Sequence, residues 1–237
     1  MDRPRTVLVT GSAKRIGRVI AQRLYQAGYG VAIHYNNSAR EARETAEICG
    51  SAPLFHADLE NVDEIKRMFQ EVDERFGGLY GLVNNAARFR RVDPWTLTEA
   101  DWDFIHSVNL KATFFCCQQG ALLMKKSGAG RIVNLSSLGG IRPWEMYAHY
   151  CASKAGVIML TRALAKAFAP EITVNSVAPG VILASNEDPR AQDLIAATPA
   201  KRSGTPAEIA DAVLYFLNAS DFVTGQVLAV DGGLSQR

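Results

Sequence analysis

The chain lacks most of the features that mark specialised partners. It has no charge surplus, since 26 Lys and Arg face 24 Asp and Glu for a formal net charge of +2. That excludes the strongly basic surface expected of a nucleic-acid binder and the polybasic stretch that clings to an anionic membrane. No apolar run approaches the roughly 18 residues needed to cross a bilayer. The opening residues Met1-Asp2-Arg3-Pro4-Arg5 hold no signal-peptide core. A cytoplasmic protein is expected. Cysteine is scarce, with Cys49, Cys116, Cys117 and Cys151 alone in 237 residues. None forms a C-x-x-C pair, and His34, His56, His106 and His149 show no ligand spacing with them. The thiols therefore read as free and buried, and no metal site is expected. No linker, low-complexity segment or repeat interrupts the chain, which predicts one domain over 1–237.

What is present is regular. Short β-branched runs at 6–10, 31–35, 53–57, 81–84, 131–135, 173–178 and 227–230 alternate with longer amphipathic stretches. The runs are nearly continuous in apolar residues, as strands buried on both faces are. Helix starts are marked by the capping boxes Ser38-Ala39-Arg40-Glu41 and Thr205-Pro206-Ala207-Glu208, and more weakly by Thr98-Glu99-Ala100-Asp101. Strand, crossover and strand repeated in this way predict an α/β fold. It is a doubly wound (Rossmann-type) parallel seven-stranded sheet with helices on both faces. The stretch 183–205 has no apolar period and is expected to be a substrate loop.

The first strand ends in Thr10-Gly11-Ser12-Ala13-Lys14-Arg15-Ile16-Gly17. Gly11 allows a sharp turn and Gly17 a close backbone approach. The helix that follows offers free N–H groups and a positive dipole end to a pyrophosphate. The second run ends His34-Tyr35-Asn36-Asn37-Ser38, without the carboxylate that an NAD site presents to the ribose 2′-OH. Lys14 and Arg15 instead supply positive charge for a 2′-phosphate. NADP(H) is therefore expected over NAD(H). Asp58, followed by Leu59, falls where a carboxylate can accept from the adenine amino group. Asn85 and Ala86, after Asn84, fall where small and amide residues can sit against the dinucleotide.

A second group carries chemistry. Tyr150 and Lys154 lie four apart in a helical stretch and so share one face. A nearby ammonium is expected to lower the tyrosine pKa from about 10. Tyr150 is then a candidate acid in reduction or base in oxidation. Ser137 follows the fifth strand, where it can donate to a substrate oxygen. Asn109 lies mid-helix, an awkward place unless its amide holds a water or a backbone group.

These motifs, in order and at family spacing, resemble the short-chain dehydrogenase/reductase family over essentially the whole chain. The closing Thr224-Gly225-Gln226 and Val230-Asp231-Gly232-Gly233 fit it too. The resemblance implies hydride transfer with Tyr150 as acid or base and Lys154 holding ribose and tuning Tyr150. It also implies that Ser137 orients the carbonyl, that Asn109 supports a water relay, and that Ser12, Ile16, Pro179, Gly180 and Ile182 touch the cofactor. A homotetramer, or a homodimer, packed through 110–127, 150–168 and the last strand is implied as well. Several details look like the pteridine reductase branch: Lys14-Arg15-Ile16-Gly17, His34-Tyr35 before Ser38, and Phe89 four residues after Asn85. Phe89 could stack on a flat ring while Arg15 bonds both cofactor phosphate and ring. One departure is Ser137, where pteridine reductases carry aspartate. The expected activity is NADPH-dependent hydride transfer to a carbonyl or imine of a small planar molecule. The alternatives are a 3-oxoacyl-thioester reductase that meets an acyl carrier at Arg88-Phe89-Arg90-Arg91, and a non-catalytic NADP(H) sensor.

Overall fold

A strand with apolar side chains on both faces is stable only between two layers of other elements. That constraint shapes the whole protein. The computed structural model describes residues 5–182 and 191–236; the part of the expected substrate loop at 183–190 lies outside them. Among the described residues the strands are β1 (Thr6–Val9), β2 (Gly30–Tyr35), β3 (Leu54–His56), β4 (Gly81–Asn84), β5 (Gly130–Leu135), β6 (Ile172–Pro179) and β7 (Val227–Val230). They pair in the order β3-β2-β1-β4-β5-β6-β7, every neighbour parallel. This is the sheet that the sequence pattern predicts.

Helices cover both faces. On one, α1 (Arg15–Gln26), α2 (Ala39–Ile48) and α8 (Pro206–Asn218) bury Ile20, Leu24, Val213 and Phe216. On the other, α3 (Val62–Phe76), α5 (Thr113–Ser127) and α6 (Ala148–Ala167) bury Ile65, Met68, Phe69 and Met124. Each fully buried side chain of this size contributes about 1.5–3 kcal/mol. Two further helices are α4 (Glu99–His106) and the short α7 (Ala191–Ala197). No helix among the described residues is long and apolar enough to cross a membrane. All four cysteines are free, with Cys49, Cys116 and Cys117 buried and Cys151 half-buried; burial pushes every thiol pKa up.

The helix starts follow their caps, with one exception. Thr205 and Glu208 close a reciprocal box on α8, with Pro206 in its first turn, and Thr98 and Asp101 close another on α4. Ser38 does not cap α2. Its backbone, at φ −107° and ψ 54°, is not the extended form from which a cap hydroxyl reaches the first N–H groups. α4 runs into a wider π-helical segment, Ser107–Ala112, before α5 begins.

The strand order reverses beside β1. The chain builds outward to β3 and then returns to the other side of β1 with β4. The helices that follow β1 and β4 cover opposite faces, and the carboxyl ends of these two strands frame a crevice, where ligands bind in such sheets.

Candidate active site

The glycine loop is held from three sides. Gly11 adopts φ 63°, a left-handed turn that favours glycine. A Cβ on Gly17 would lie 2.3 Å from the Gly11 carbonyl oxygen and 2.6 Å from Asn85 Nδ2, so this position admits no side chain. Asn85 donates through Nδ2 to the carbonyls of Thr10 (2.9 Å) and Gly11 (3.1 Å). Thr10 Oγ1 accepts from the backbone N–H groups of Asn85 (3.0 Å) and Ala86 (3.1 Å). The loops after β1 and β4 thus form one unit.

Arg15 has φ 52°, the region where glycine is at ease. A long side chain here costs about 1–2 kcal/mol of backbone strain. Neither Lys14 nor Arg15 hydrogen-bonds through its side chain among the described residues, and both are exposed. No side chain caps α1. Unpaired N–H groups and two free cations at a helix start form an anion-binding donor set. Tyr35, Asn36, Asn37 and Ser38 line the adjacent edge without a carboxylate among them. This donor set fits a phosphorylated dinucleotide.

Other expected cofactor contacts are qualified by burial. Ser12 is fully buried, and its hydroxyl donates to the Val9 carbonyl at 2.8 Å, so the side chain holds the turn from inside. Leu59 is part of the apolar core, which leaves only its backbone for a ligand. One oxygen of Asp58 accepts from the Glu60 N–H at 3.0 Å. Ile16 and Ile182 pack on the core beneath the crevice. A Cβ on Gly180 would lie 2.6 Å from Asp231 Cα, which presses the turn after β6 against the end of β7.

The chemical group comes together as predicted. Ser137 follows β5 and starts a 3₁₀ turn, Leu138–Gly140, where its Oγ accepts the Gly139 N–H at 3.0 Å. The same side chain lies close enough to Tyr150 to favour its phenolate. Lys154 lies one turn along α6, 3% exposed, and its Nζ donates to the Leu135 carbonyl at 2.7 Å and stands 6.0 Å from the Tyr150 ring centre. Ser136 is absent from this group; it accepts from the Ser176 hydroxyl and donates to the Val177 carbonyl between β5 and β6.

One expectation changes. The Tyr150 pKa is not lowered. Burial pushes it up to about 12, against a smaller opposing pull from the nearby Ser137 hydroxyl. Burial also brings Lys154 down to about 8. The phenol therefore holds its proton at neutral pH. Asn109 does hold a backbone group. Its Oδ1 accepts the Arg88 N–H (2.7 Å), and its Nδ2 donates to the Arg88 carbonyl (2.9 Å) and to Ser153 Oγ (3.2 Å).

That clamp fixes Phe89 in front of Tyr150. Phe89 is 58% exposed, stacks on Tyr147 at 4.7 Å and 12°, and meets the Tyr150 ring edge-on at 4.7 Å. Trp144 lies parallel to Tyr150 at 6.0 Å. Sequence reasoning missed Trp144 and Tyr147. Their three-residue steps toward Tyr150 were the available signal. It also missed His34, a polar residue inside an apolar strand, whose Nδ1 accepts the Gly11 N–H at 2.9 Å.

These features define a dinucleotide-type crevice with a Ser-Tyr-Lys group at its floor, and comparison with known proteins agrees. A family model described as enoyl-(acyl carrier protein) reductase matches residues 11–235. The chain is 37% identical to the 3-oxoacyl-acyl-carrier-protein reductase FabG of Staphylococcus aureus, covering 99% of each protein. It is 37% identical to nodulation protein G of a Rhizobium species, covering 98% of this chain and 97% of that one. An actinorhodin polyketide ketoreductase variant crystallised with NADPH superposes with a TM-score of 0.92 at 32% identity, covering 99% of this chain and 98% of that one. The chain belongs to the short-chain dehydrogenase/reductase family and is an oxidoreductase of that type.

Proposed function

We propose that this protein reduces a ketone to a secondary alcohol with NADPH, and that its substrate carries a flat ring system. The observation that carries the reading is the aromatic wall of Phe89, Trp144 and Tyr147 set around Tyr150, with buried Lys154 one turn along α6. Lys14, Arg15, Asn36, Asn37 and Ser38 would hold the 2′-phosphate, Asp58 the adenine, and Lys154 the ribose of the nicotinamide. When bound, NADPH supplies the hydride. The protein's own part concerns the carbonyl oxygen. Ser137 Oγ already accepts from Gly139, so its proton is free to point at that oxygen. Tyr150, kept neutral by burial, donates its proton as negative charge builds there. Lys154 favours the phenolate that this leaves behind. Asn109 acts through the Arg88 peptide, which it clamps, to hold Phe89 in place.

Ser137 supports a ketone rather than a pterin ring nitrogen, because a serine hydroxyl is too weak an acid to protonate that nitrogen in place of a carboxyl group. The triple arginine gives little support to an acyl-carrier interface. Arg88 pairs with Glu60, Arg90 pairs with Asp101, and both stack on Phe104. Following NADPH oxidation tests the reading with a bicyclic ketone, an acetoacetyl thioester, an enoyl thioester and dihydrobiopterin. The bicyclic ketone should give the highest kcat/KM. A preference for the acetoacetyl thioester would remove the planar substrate and leave the ketone chemistry standing. Turnover of dihydrobiopterin or the enoyl thioester alone would remove both. A homotetramer or homodimer belongs to the same proposal. It is supported by Phe114, Leu122, Met159 and Leu228, exposed on α5, α6 and β7, and sedimentation would test it.

A further inference from the structure

We propose that His34 is the positioning residue of the glycine loop, presenting a proton-free Nδ1 to the Gly11 N–H and so fixing the turn on which the dinucleotide phosphates would rest. The proposal deepens the cofactor reading above and rests on it. It begins from a residue that β2 should not contain. His34 is 2% exposed in an otherwise apolar strand. A buried ring needs partners for both nitrogens. Nδ1 lies 2.9 Å from the Gly11 nitrogen, and that N–H can only donate. Nδ1 therefore carries a lone pair, and the ring proton sits on Nε2. That nitrogen lies 3.1 Å from the Ala57 carbonyl, which can only accept. The two contacts together select one neutral tautomer.

The backbone of the same residue grips the loop a second time. The Ser12 N–H donates to the His34 carbonyl at 3.0 Å, and the His34 N–H donates to Ser12 Oγ at 3.2 Å. One residue thus joins three parts of the crevice: the glycine turn, the strand end leading to Tyr35–Ser38, and the Ala57-Asp58 corner. Gly11 is the residue at φ 63°, where the chain reverses most sharply. Its N–H points into the protein, so the ring fixes the turn from beneath rather than competing for phosphate.

Protonating the ring would set N–H against N–H and break the contact. Dry burial, aided by His56, disfavours a charge on the ring; it outweighs the Ala57 hydrogen bond and Asp58, which favour one, and holds the pKa near 4. The loop is therefore set throughout the neutral range and loosens only in acid.

Ring ¹⁵N NMR of the wild-type protein reads the tautomer directly and needs no variant. The expected result is an unprotonated Nδ1, a protonated Nε2, and a Gly11 amide that exchanges slowly until the pH falls well below 6.5. NADPH binding, followed by fluorescence, then compares wild type with His34→Asn and His34→Leu. Asparagine places an oxygen where Nδ1 stood, so it should bind within about threefold of wild type and lose the His34-linked weakening in acid. Leucine fills the space without an acceptor, leaves a buried N–H unpaired, and should bind about tenfold or more weakly at every pH. Equal losses in both variants would make His34 a packing residue and overturn the proposal. A protonated Nδ1 at neutral pH would overturn it as well. If wild type binds no NADPH, the cofactor reading fails separately, and the ring and amide measurements still decide the claim on the turn.

Discussion

Tyr150 is built to give a proton rather than to take one. Burial holds its phenol near 12, and Lys154, tied to the Leu135 carbonyl, stands ready to offset the charge that proton loss leaves. Tyr150→Phe should abolish turnover while NADPH affinity, measured by fluorescence titration, stays within about twofold of wild type. Surviving activity would sink the mechanism. Arg15 makes a different trade. Its backbone strain at φ 52° is accepted for a cation at the loop. Arg15→Gly should raise thermal stability by about 1 kcal/mol. It should also weaken NADPH binding about tenfold and leave NADH binding nearly unchanged. Equal effects on both cofactors would refute the 2′-phosphate assignment. At this scale the sequence was readable where residue type dictates chemistry: Gly11, Gly17, Ser137, Tyr150 and Lys154. The sense of the Tyr150 shift was not readable, because dehydration depends on what covers the ring and helical spacing does not reveal that. For a related reason the sequence did not show that the side chains of Ser12 and Leu59 turn inward, which leaves only their backbone for a ligand.

Elements were legible where a local pattern fixes them. Seven apolar runs became seven strands, because a strand covered on both faces needs no alternation. The boxes at Thr205 and Thr98 closed, since each brings its own partner three residues on. Ser38 has the same spacing but fails, because its backbone after the bend at 36–37 is not in the extended form that a cap needs. Thr205→Ala should therefore cost about 1 kcal/mol in a denaturant melt, whereas Ser38→Ala should change stability by less than about 0.5 kcal/mol. The reverse order would mean that the α8 box is dispensable. The π-helical segment around Asn109 carries no simple sequence signature. It is visible only as an amide out of place, whose use became clear once the Arg88 peptide was found in its grip.

For the molecule as a whole, His34 links the site to stability. Its pKa falls from 6.5 in the unfolded chain to about 4 in the folded one. Above 6.5 both states hold a neutral ring; below it the unfolded chain takes up the proton first. Stability is thus complete at neutral pH and declines as the pH falls from 6.5 toward 4, by about 3 kcal/mol over that span. Urea melts across this range should show the slope in wild type and a shallower one in His34→Asn. Identical slopes would mean that the ring titrates normally. A second long-range link runs through the triple arginine. Arg88 and Arg90 flank Phe89 in sequence, and both guanidinium groups lie over Phe104 on α4, at 4.3 and 3.8 Å. The aromatic wall is therefore geared to that helix. A small tilt of α4, from a neighbouring subunit or a mutation on its outer side, would turn Phe89 and change the width of the opening before Tyr150, like a jaw moved by its handle.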